Sequence, residues 1–257
     1  MSHGPCLTLT ALRGLPEVLP GSDLAALLAQ ALKFTGLSLV EGDLLVVAQK
    51  VVSKAQGRYV ELAGVAPGNR ALELASITGK DPRLIELVLR ESTEVLRAKR
   101  DVLIVRHRLG YVMANAGIDR SNTGSGTSPE RVLLLPEDPE GSAAALRSEL
   151  ARRCGVSPGL IISDSFGRPW RKGVVNIALA AAGVAALVNR RGEADRAGRR
   201  LEVTEVALAD ALAAAAGVLM GEAAEGTPAV LIRGLNVTAP SNPASALIRP
   251  LEEDLFR

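Results

Sequence analysis

Residues 160–173 read Leu-Ile-Ile-Ser-Asp-Ser-Phe-Gly-Arg-Pro-Trp-Arg-Lys-Gly, and this stretch narrows the fold and the chemistry more than any other. Its first three residues, Leu160–Ile162, predict a buried strand that ends at Ser163–Ser165. A carboxylate at the end of a strand can hold a hard divalent cation through oxygen. The three cations that follow, with the amides of a glycine-containing loop, can neutralise phosphate oxygens. The stretch therefore predicts a metal-bound phosphate, and the alternative is a charged surface turn after a core strand.

Outward from this stretch, aliphatic strands are mixed with helical segments along the chain. We predict strands at Leu7–Leu12, Leu44–Ala48, Val102–Val105, Tyr111–Ala114, Val132–Leu135 and Ala229–Ile232, with Leu201–Val203 as a further candidate. We predict helices at 22–34, from 67 to a break at 79–82, from 82 onward, at 142–153 and at 205–220. The predicted N-terminal caps are Ser22 or Asp23 for the first helix, Asp81 for the helix that begins at 82, and Ser142 for the helix at 142–153. The mixture predicts an α/β or α+β fold without internal repeats.

The composition allows a large core but argues against a nucleic-acid partner. The chain has 257 residues, of which 47% are hydrophobic, so one domain or two small ones are both possible. Aromatic residues make up only 2% of the chain, too few for a platform that stacks single-stranded bases. The net charge is +2, and no basic tract matches a DNA groove.

The compartment follows from the cysteines and from the absence of targeting signals. Cys6 and Cys154 are the only cysteines, so a thiolate zinc site is excluded and a reducing compartment is favoured. The first 14 residues lack the pattern of a signal peptide, and the apolar stretch Val206–Met220 is too short to span a bilayer. These features predict a cytoplasmic protein with no membrane partner.

Three acidic residues lie just past predicted elements, each in a polar, glycine-containing setting: Asp119, Asp164 and Glu222. Phosphoryl transfer requires carboxylates that hold Mg²⁺ or Mn²⁺ and cations that bind phosphate. Three separated carboxylates could meet in the folded chain and form such a site. Each of them alone is more often a helix cap or a turn residue.

Other polar residues accompany these carboxylates. Asn122 follows Asp119 and is interpreted as a contact to a nucleotide or phosphate. Lys50 and Lys54 come directly after the strand Leu44–Ala48, where a lysine can reach phosphate oxygens, although an exposed turn explains them equally. Glutamates near a helix C-terminus oppose its dipole, so Glu222 and its neighbours favour a site over a plain cap.

Several familiar sites are excluded by pattern. The chain has no G-x-x-x-x-G-K-[ST] and no G-x-G-x-x-G after a strand, so neither a P-loop nor a Rossmann fold is expected. Ser165 lacks both a nucleophile elbow and a nearby histidine, which argues against serine-hydrolase chemistry. His3 and His107 are too few for a histidine metal site, and His107 is predicted to be a surface side chain between Arg106 and Arg108.

Taken together, the polar clusters resemble one family in order along nearly the whole chain. The matching segments are Gly42–Arg58, Asn115–Asn122, Leu134–Pro139, Ser163–Arg171, Leu219–Glu222 and Val230–Leu235. This set resembles the coenzyme F-420-0:L-glutamate ligase family, also called the F-420 gamma-glutamyl ligases.

The resemblance implies a GTP-dependent amide ligase. Such an enzyme adds L-glutamate to the phospholactyl carboxylate of a deazaflavin coenzyme, then further glutamates through γ-linkages, and releases GDP and phosphate. It implies Mg²⁺ or Mn²⁺ at two sites and stimulation by K⁺. It also implies an unusual α/β fold that forms an intertwined homodimer. Residues 1–257 would form one ligase unit, with two subdomains as an option, and no C-terminal nitroreductase-like domain is expected because the chain ends at Arg257.

Carried over position by position, the resemblance assigns the site. Asp119 and Asp164 would bind one metal, and Ser165 and Glu222 the second. The residues implied to contact GTP are Leu15, Pro16, Glu17, Val18, Gln49, Lys54, Asn122, Met220, Gly221, Glu222, Ala223, Ala224, Glu225, Gly226 and Thr227. Gln49 and the stretch Ala223–Glu225 depart from the family pattern, so contacts there can differ.

Catalytic roles are expected for Asp119, Asp164 and Arg168. Arg168, Arg171 or Lys172 is also a candidate for binding the substrate's own phosphate or carboxylates, because these cations follow the metal segment. Two rival functions stay open. One is a metal-dependent kinase of a small phosphorylated metabolite, and the other is a non-catalytic nucleotide-binding protein.

Overall fold

A computed structural model describes residues 6–121, 130–236 and 239–254 of the chain. Asn122 and the glycine-rich stretch after it lie outside the described residues. The strands are β1 Thr8–Ala11, β2 Leu44–Ala48, β3 Tyr59–Glu61, β4 Ser92–Lys99, β5 Val102–His107, β6 Val112–Ala114, β7 Arg131–Leu133, β8 Gly159–Arg168, β9 Arg171–Ala182, β10 Leu187–Asn189, β11 Glu205–Ala207 and β12 Ala229–Arg233. The helices are α1 Leu24–Phe34, α2 Gln49–Ala55, α3 Asn69–Thr78, α4 Pro82–Arg90, α5 Pro139–Cys154 and α6 Leu208–Met220.

A five-stranded mixed sheet in the order β1-β12-β2-β8-β9 forms the larger part of the molecule. Only β2 and β8 run parallel, and the other neighbours are antiparallel. The central strand β2 is apolar throughout because both of its faces are covered. Leu45 and Val47 pack on one side with α1 and α5, while Leu44 and Val46 pack on the other side against α6.

A smaller core lies beside this sheet. The antiparallel sheet β4-β5-β6 packs against α3 and α4, and the pair β3-β7 closes the same core. The two cores meet in a cluster of Tyr111, Met113, Leu135, Phe166 and Leu179. The Tyr111 hydroxyl donates a hydrogen bond of 2.5 Å to the carbonyl of Leu179, which ties β9 to the smaller sheet.

The mixed α/β fold is confirmed, and so are several local predictions. Asp23 caps α1 by accepting a hydrogen bond of 2.9 Å from the amide of Ala26. Asp81 caps α4, whose first residue is Pro82, by accepting a bond of 2.9 Å from the amide of Arg83. The predicted strands β1, β2, β5, β6 and β12 all form.

The predicted end of the strand at Ile162 is wrong. β8 continues through Arg168 because β9 supplies an antiparallel partner for its backbone, with Ser163 opposite Ala178 and Ser165 opposite Asn176. A register shift between Ile162 and Ser163 marks the point where the strand leaves the apolar core. Asp164 and Ser165 therefore lie inside a β-hairpin and not in a loop after a strand.

Four other local features differ from the sequence analysis. The strand expected at Leu201–Val203 instead forms at Glu205–Ala207, because β10 pairs with these residues and removes them from the start of α6. The strand β4 was not predicted, since its side chains alternate poorly between apolar and polar. Asp138, not Ser142, caps α5 by accepting a bond of 2.9 Å from the amide of Gly141.

His107 is the fourth correction, because it is buried with only 1% of its surface exposed. Its Nδ1 accepts a hydrogen bond of 3.0 Å from the amide of Leu109, and its Nε2 lies 3.5 Å from Glu91.

Among the described residues, none of the helices combines the length and the apolar character needed to cross a bilayer.

Candidate functional site

One cavity of about 770 Å³ gathers nearly all the candidate residues. It lies at the carboxyl end of β2, where the pairing of β2 with the middle of β8 stops and Ala48 is opposite Ser163. Every described candidate lines it except the hairpin cations Arg168, Arg171 and Lys172. The lining candidates are Leu15, Pro16, Glu17, Val18, Gln49, Lys54, Asp119, Asp164, Ser165 and the run from Met220 to Thr227. These residues come from five separate parts of the chain, and the fold brings them to one place.

Asp119 is held at this cavity by backbone pairing and by a lysine. Its amide and carbonyl each form a hydrogen bond of 2.9 Å with Leu133, which fixes the backbone beside β7. Its carboxylate lies 2.5 Å from Nζ of Lys50 and accepts a bond of 2.8 Å from the hydroxyl of Ser121. Lys50 is thus the counter-charge of Asp119 in this structure.

Asp164 lies in a poorly solvated part of the same wall. Its pKa is raised to about 7, chiefly by desolvation and also by the charge of Asp119, while the amide of Ser165, Lys50 and the side chain of Gln49 act in the opposite direction. A poorly solvated carboxylate that resists ionisation favours a nearby cation, since a cation offsets the lost hydration. Two carboxylates close enough to repel each other are suited to share one.

Two buried polar side chains next to Asp164 complete this wall. Gln49, the first residue of α2, accepts a hydrogen bond of 2.9 Å from the hydroxyl of Ser53 one turn later. The hydroxyl of Ser163 is buried and has no hydrogen-bond partner in the described part of the chain. A polar atom left without a partner inside a protein is costly. Ser163 therefore marks a place where a bound group would supply the missing hydrogen bond.

Lys54 is the cation at the bottom of the cavity. It is 9% exposed, and burial lowers its pKa, with Lys50 lowering it and Glu17 and Asp119 raising it. Its side chain makes neither an ion pair nor a hydrogen bond within residues 6–121, 130–236 and 239–254. A buried ammonium without a direct partner is a binding position for an anion such as a phosphate.

The run Met220–Thr227 forms the wall that follows α6. The helix ends at Gly221 with φ of 71°, and a Cβ atom there would lie 2.1 Å from Cδ of Glu225. Glu225 accepts a hydrogen bond of 2.8 Å from the amide of Ala223, and the hydroxyl of Thr227 donates one of 2.9 Å to the carbonyl of Leu219. The loop is thus folded around Glu225, while Glu222 is exposed at the cavity.

The three carboxylates do not all converge. In the described part of the chain, no three histidine, cysteine or acidic side chains are grouped as metal ligands. Asp119 and Asp164 interact electrostatically, and Glu222 lines the same cavity without joining them. Arg168 lies beyond the lining residue Gly167, where its Nη1 donates a bond of 3.3 Å to the carbonyl of Gly173.

Sequence reasoning missed Ser163 and Asn176 as lining residues. Asn176 is a single amide within the otherwise apolar run Val174–Ala182, and that interruption was a usable signal. A second cavity of about 510 Å³ lies beside β10 and is lined in part by Leu187, Arg190 and Asn242. It contains none of the candidate residues.

Comparison with known proteins shows the family of this chain. The family described as F420-0:Gamma-glutamyl ligase matches residues 14–234. This chain belongs to that family. A relative from Methanothermobacter thermautotrophicus, named Coenzyme F420:L-glutamate ligase, is 43% identical over 253 residues, which cover 98% of this chain and 99% of the relative.

Two further family members carry the same name. The protein from Methanopyrus kandleri is 46% identical over 245 residues, covering 94% of each chain. The protein from Methanocaldococcus jannaschii is 44% identical over 217 residues, covering 84% of this chain and 85% of the relative. The family resemblance read from the polar clusters is therefore confirmed, and the family is one of ligases.

Proposed function

We propose that this protein is a GTP-dependent ligase that joins L-glutamate to the phospholactyl carboxylate of coenzyme F-420-0 and then adds further glutamates through γ-linkages. One observation carries the proposal. A single cavity of about 770 Å³ brings a buried lysine without a direct partner, a pair of interacting carboxylates and a folded glycine-ended loop together. Its volume is in the range of small-molecule sites, about 300–1,000 Å³.

The chemistry requires activation of a carboxylate, because oxide is too poor a leaving group for an amine to displace. In the proposed first step, a carboxylate oxygen of the coenzyme attacks the γ-phosphorus of GTP, and GDP leaves. In the second, the neutral amine of glutamate attacks the acyl carbon of the acyl phosphate. The C–O bond then breaks, inorganic phosphate leaves, and the amine gives up a proton.

The residues around the cavity suit positioning and charge neutralisation, the main tasks in phosphoryl transfer. Lys54 would hold phosphate oxygens of the nucleotide. Leu15–Val18, Gln49 and the run Met220–Thr227 would enclose the rest of it. Asn122 stays a predicted nucleotide contact, and Arg168 a predicted catalytic cation.

The carboxylate and hydroxyl oxygens of the cavity fit Mg²⁺ or Mn²⁺, because both ions prefer oxygen ligands. Asp119 and Asp164 would hold one ion, and Ser165 with Glu222 a second one. A bound ion would supply charge neutralisation on the transferred phosphoryl group. The raised pKa of Asp164 supports a cation next to it, since protonation and cation binding compete for the same oxygens. On this reading, Lys50 holds the place of a cation beside Asp119.

The family resemblance adds three parts to the proposal: an intertwined homodimer, stimulation by K⁺ and a cytoplasmic location. Sedimentation of the purified chain tests the first, and replacement of K⁺ by Na⁺ in the assay tests the second. Neither affects the assignment of the cavity.

The test of the proposed function is mass spectrometry of the glutamate-free coenzyme after incubation with GTP, Mn²⁺ and L-glutamate. We expect mass increments of one glutamate residue, with one phosphate released for each. Phosphorylated coenzyme without glutamate would favour a kinase, and bound GTP without turnover a binding protein. Lys54→Met should abolish the increments, while Lys33→Met, which removes an exposed lysine of α1 away from the cavity, should leave them unchanged.

A further inference from the structure

The tip of the β8–β9 hairpin presents the only tryptophan of the chain to solvent. Trp170 is 87% exposed and lies in the turn between Arg168 and Arg171, which are the last paired residues of the two strands. A large aromatic side chain normally contributes most when it is buried. An indole with so little contact to its own chain therefore contributes little to the fold.

The backbone conformation of the turn favours a residue other than tryptophan at position 170. Pro169 occupies the second position, where its fixed φ suits a turn, and Trp170 follows with a φ of 65°. A positive φ at this position favours glycine or asparagine and disfavours a bulky side chain. Strained positions of this kind persist mainly where function requires them. The sequence thus places an indole at the tip although a glycine would make the turn more easily.

Three cations lie within two residues of Trp170 in the sequence. Arg168, Arg171 and Lys172 form no ion pair with any of the described residues, and Arg168 is steadied by its bond to the carbonyl of Gly173. An exposed indole with unpaired cations on the same hairpin tip suits a ligand that is both planar and anionic. A contact between two copies of this hairpin would bring like charges together, which is unfavourable.

The hairpin is continuous with the wall of the cavity. Asp164, Ser165 and Gly167 all line the cavity, and Gly167 is only three residues before Trp170. The three residues from Gly167 to Trp170 span at most about 10 Å when extended, and the six from Asp164 to Trp170 span at most about 20 Å. A ligand with its reactive end beside Asp164 could therefore extend its other end over the indole.

We propose that Trp170 stacks on the fused ring system of the deazaflavin coenzyme, while Arg168, Arg171 and Lys172 bind the phosphodiester between that ring and the reactive carboxylate. This inference rests on the proposed function, because it takes the coenzyme as the acceptor. It assigns the hairpin to the coenzyme and leaves the nucleotide to Lys54 and the loop after α6.

The experiment uses the single tryptophan as its own probe. Titration of the full chain with the glutamate-free coenzyme, without GTP or glutamate, should quench the Trp170 fluorescence to saturation. Free N-acetyltryptophanamide at the same absorbance corrects for light taken up by the coenzyme. Quenching no greater than this correction would overturn the proposal.

Substitutions separate stacking from structure. Trp170→Gly relaxes the turn and should raise the KM for the coenzyme roughly ten-fold, as loss of one aromatic stacking contact does, with the KM for GTP unchanged. Trp170→Phe should restore most of the affinity. The matched control is Val203→Ala, at a side chain that is 79% exposed and does not line the cavity, and it should change neither value.

Two outcomes would contradict the hairpin assignment. One is an unchanged coenzyme KM in Trp170→Gly with a smaller species on sedimentation, because the hairpin would then join two copies of the chain. The other is an unchanged KM with an unchanged oligomeric state. Saturable quenching by a coenzyme that receives no glutamate would uphold the hairpin proposal while the proposed ligase activity failed.

Discussion

Replacing Asp164 by asparagine should stabilise the metal-free protein while it removes a proposed metal ligand. The pKa of this carboxyl is raised from 3.8 to about 7, chiefly by burial. Each pH unit across that interval corresponds to 1.36 kcal/mol, so ionised Asp164 costs the folded state about 4 kcal/mol. Because asparagine keeps the shape but differs in its hydrogen bonds, we expect Asp164→Asn to raise the free energy of unfolding by about 2–4 kcal/mol at pH 8.

The sign of this effect depends on pH. Between about pH 4 and pH 7 the folded protein keeps a proton on Asp164 that the unfolded chain has already lost, so wild-type stability from this group falls as pH rises. The increase in the free energy of unfolding caused by Asp164→Asn should therefore be near zero at pH 4, grow between pH 4 and pH 7, and level off above pH 7.

Urea denaturation in the presence of a chelator, at a series of pH values, measures the gain. Asp119→Asn is the control, because it removes a favourable ion pair with Lys50 and should not stabilise the protein in the same way. A variant no more stable than wild type at pH 8, with an unchanged m value, would refute the reasoning that burial strains this carboxylate.

Three further predictions follow from single contacts. Lys54→Met should weaken GTP binding by about 2 kcal/mol in calorimetry, since no other described side chain pairs with this ammonium; unchanged affinity would remove Lys54 from the nucleotide site. Gly221→Ala should lower stability by at least about 1–2 kcal/mol in thermal unfolding, because it combines a positive φ with a Cβ atom 2.1 Å from Glu225; Gly36→Ala also has a positive φ but open space, and should cost less. Glu91→Gln should cost about 1–2 kcal/mol at pH 7, since Nε2 of His107 at 3.5 Å and the guanidinium of Arg108, which donates a hydrogen bond of 3.2 Å, lower the pKa of Glu91. The stabilisation by ionised Glu91 is fully present above its ordinary pKa of 4.5 and is lost as pH falls through the lowered value. The free energies of unfolding of wild type and Glu91→Gln should therefore converge in acid.

Much of the fold could be predicted because local signals agreed with the final packing. The run Leu44–Ala48 is apolar at every position, and it became the central strand with both faces covered. Asp81 followed by Pro82 is a strong helix start, and it holds in the structure. Most described candidate residues line one cavity, although only the family resemblance joined the segments from residue 15, residue 119 and residue 220 into one predicted site.

The errors share a cause, which is that partners distant in sequence decided the structure. Ser163–Arg168 looks like a loop until β9 pairs with it. Glu205–Ala207 has no feature that separates it from α6 except its pairing with β10. His107 lies between two arginines yet is buried, because alternate residues of β5 face the smaller core. Such long-range contacts leave no trace in the local pattern.

The central claim is that the cavity of about 770 Å³ is the nucleotide and metal site. The most direct measurement is a crystal structure of the protein with a non-hydrolysable GTP analogue and Mn²⁺, in which anomalous scattering locates the ion. The account predicts phosphate oxygens within hydrogen-bond distance of Nζ of Lys54, and Mn²⁺ between the carboxylates of Asp119 and Asp164. A nucleotide seated in the second cavity beside β10, or Mn²⁺ that contacts neither carboxylate, would contradict it.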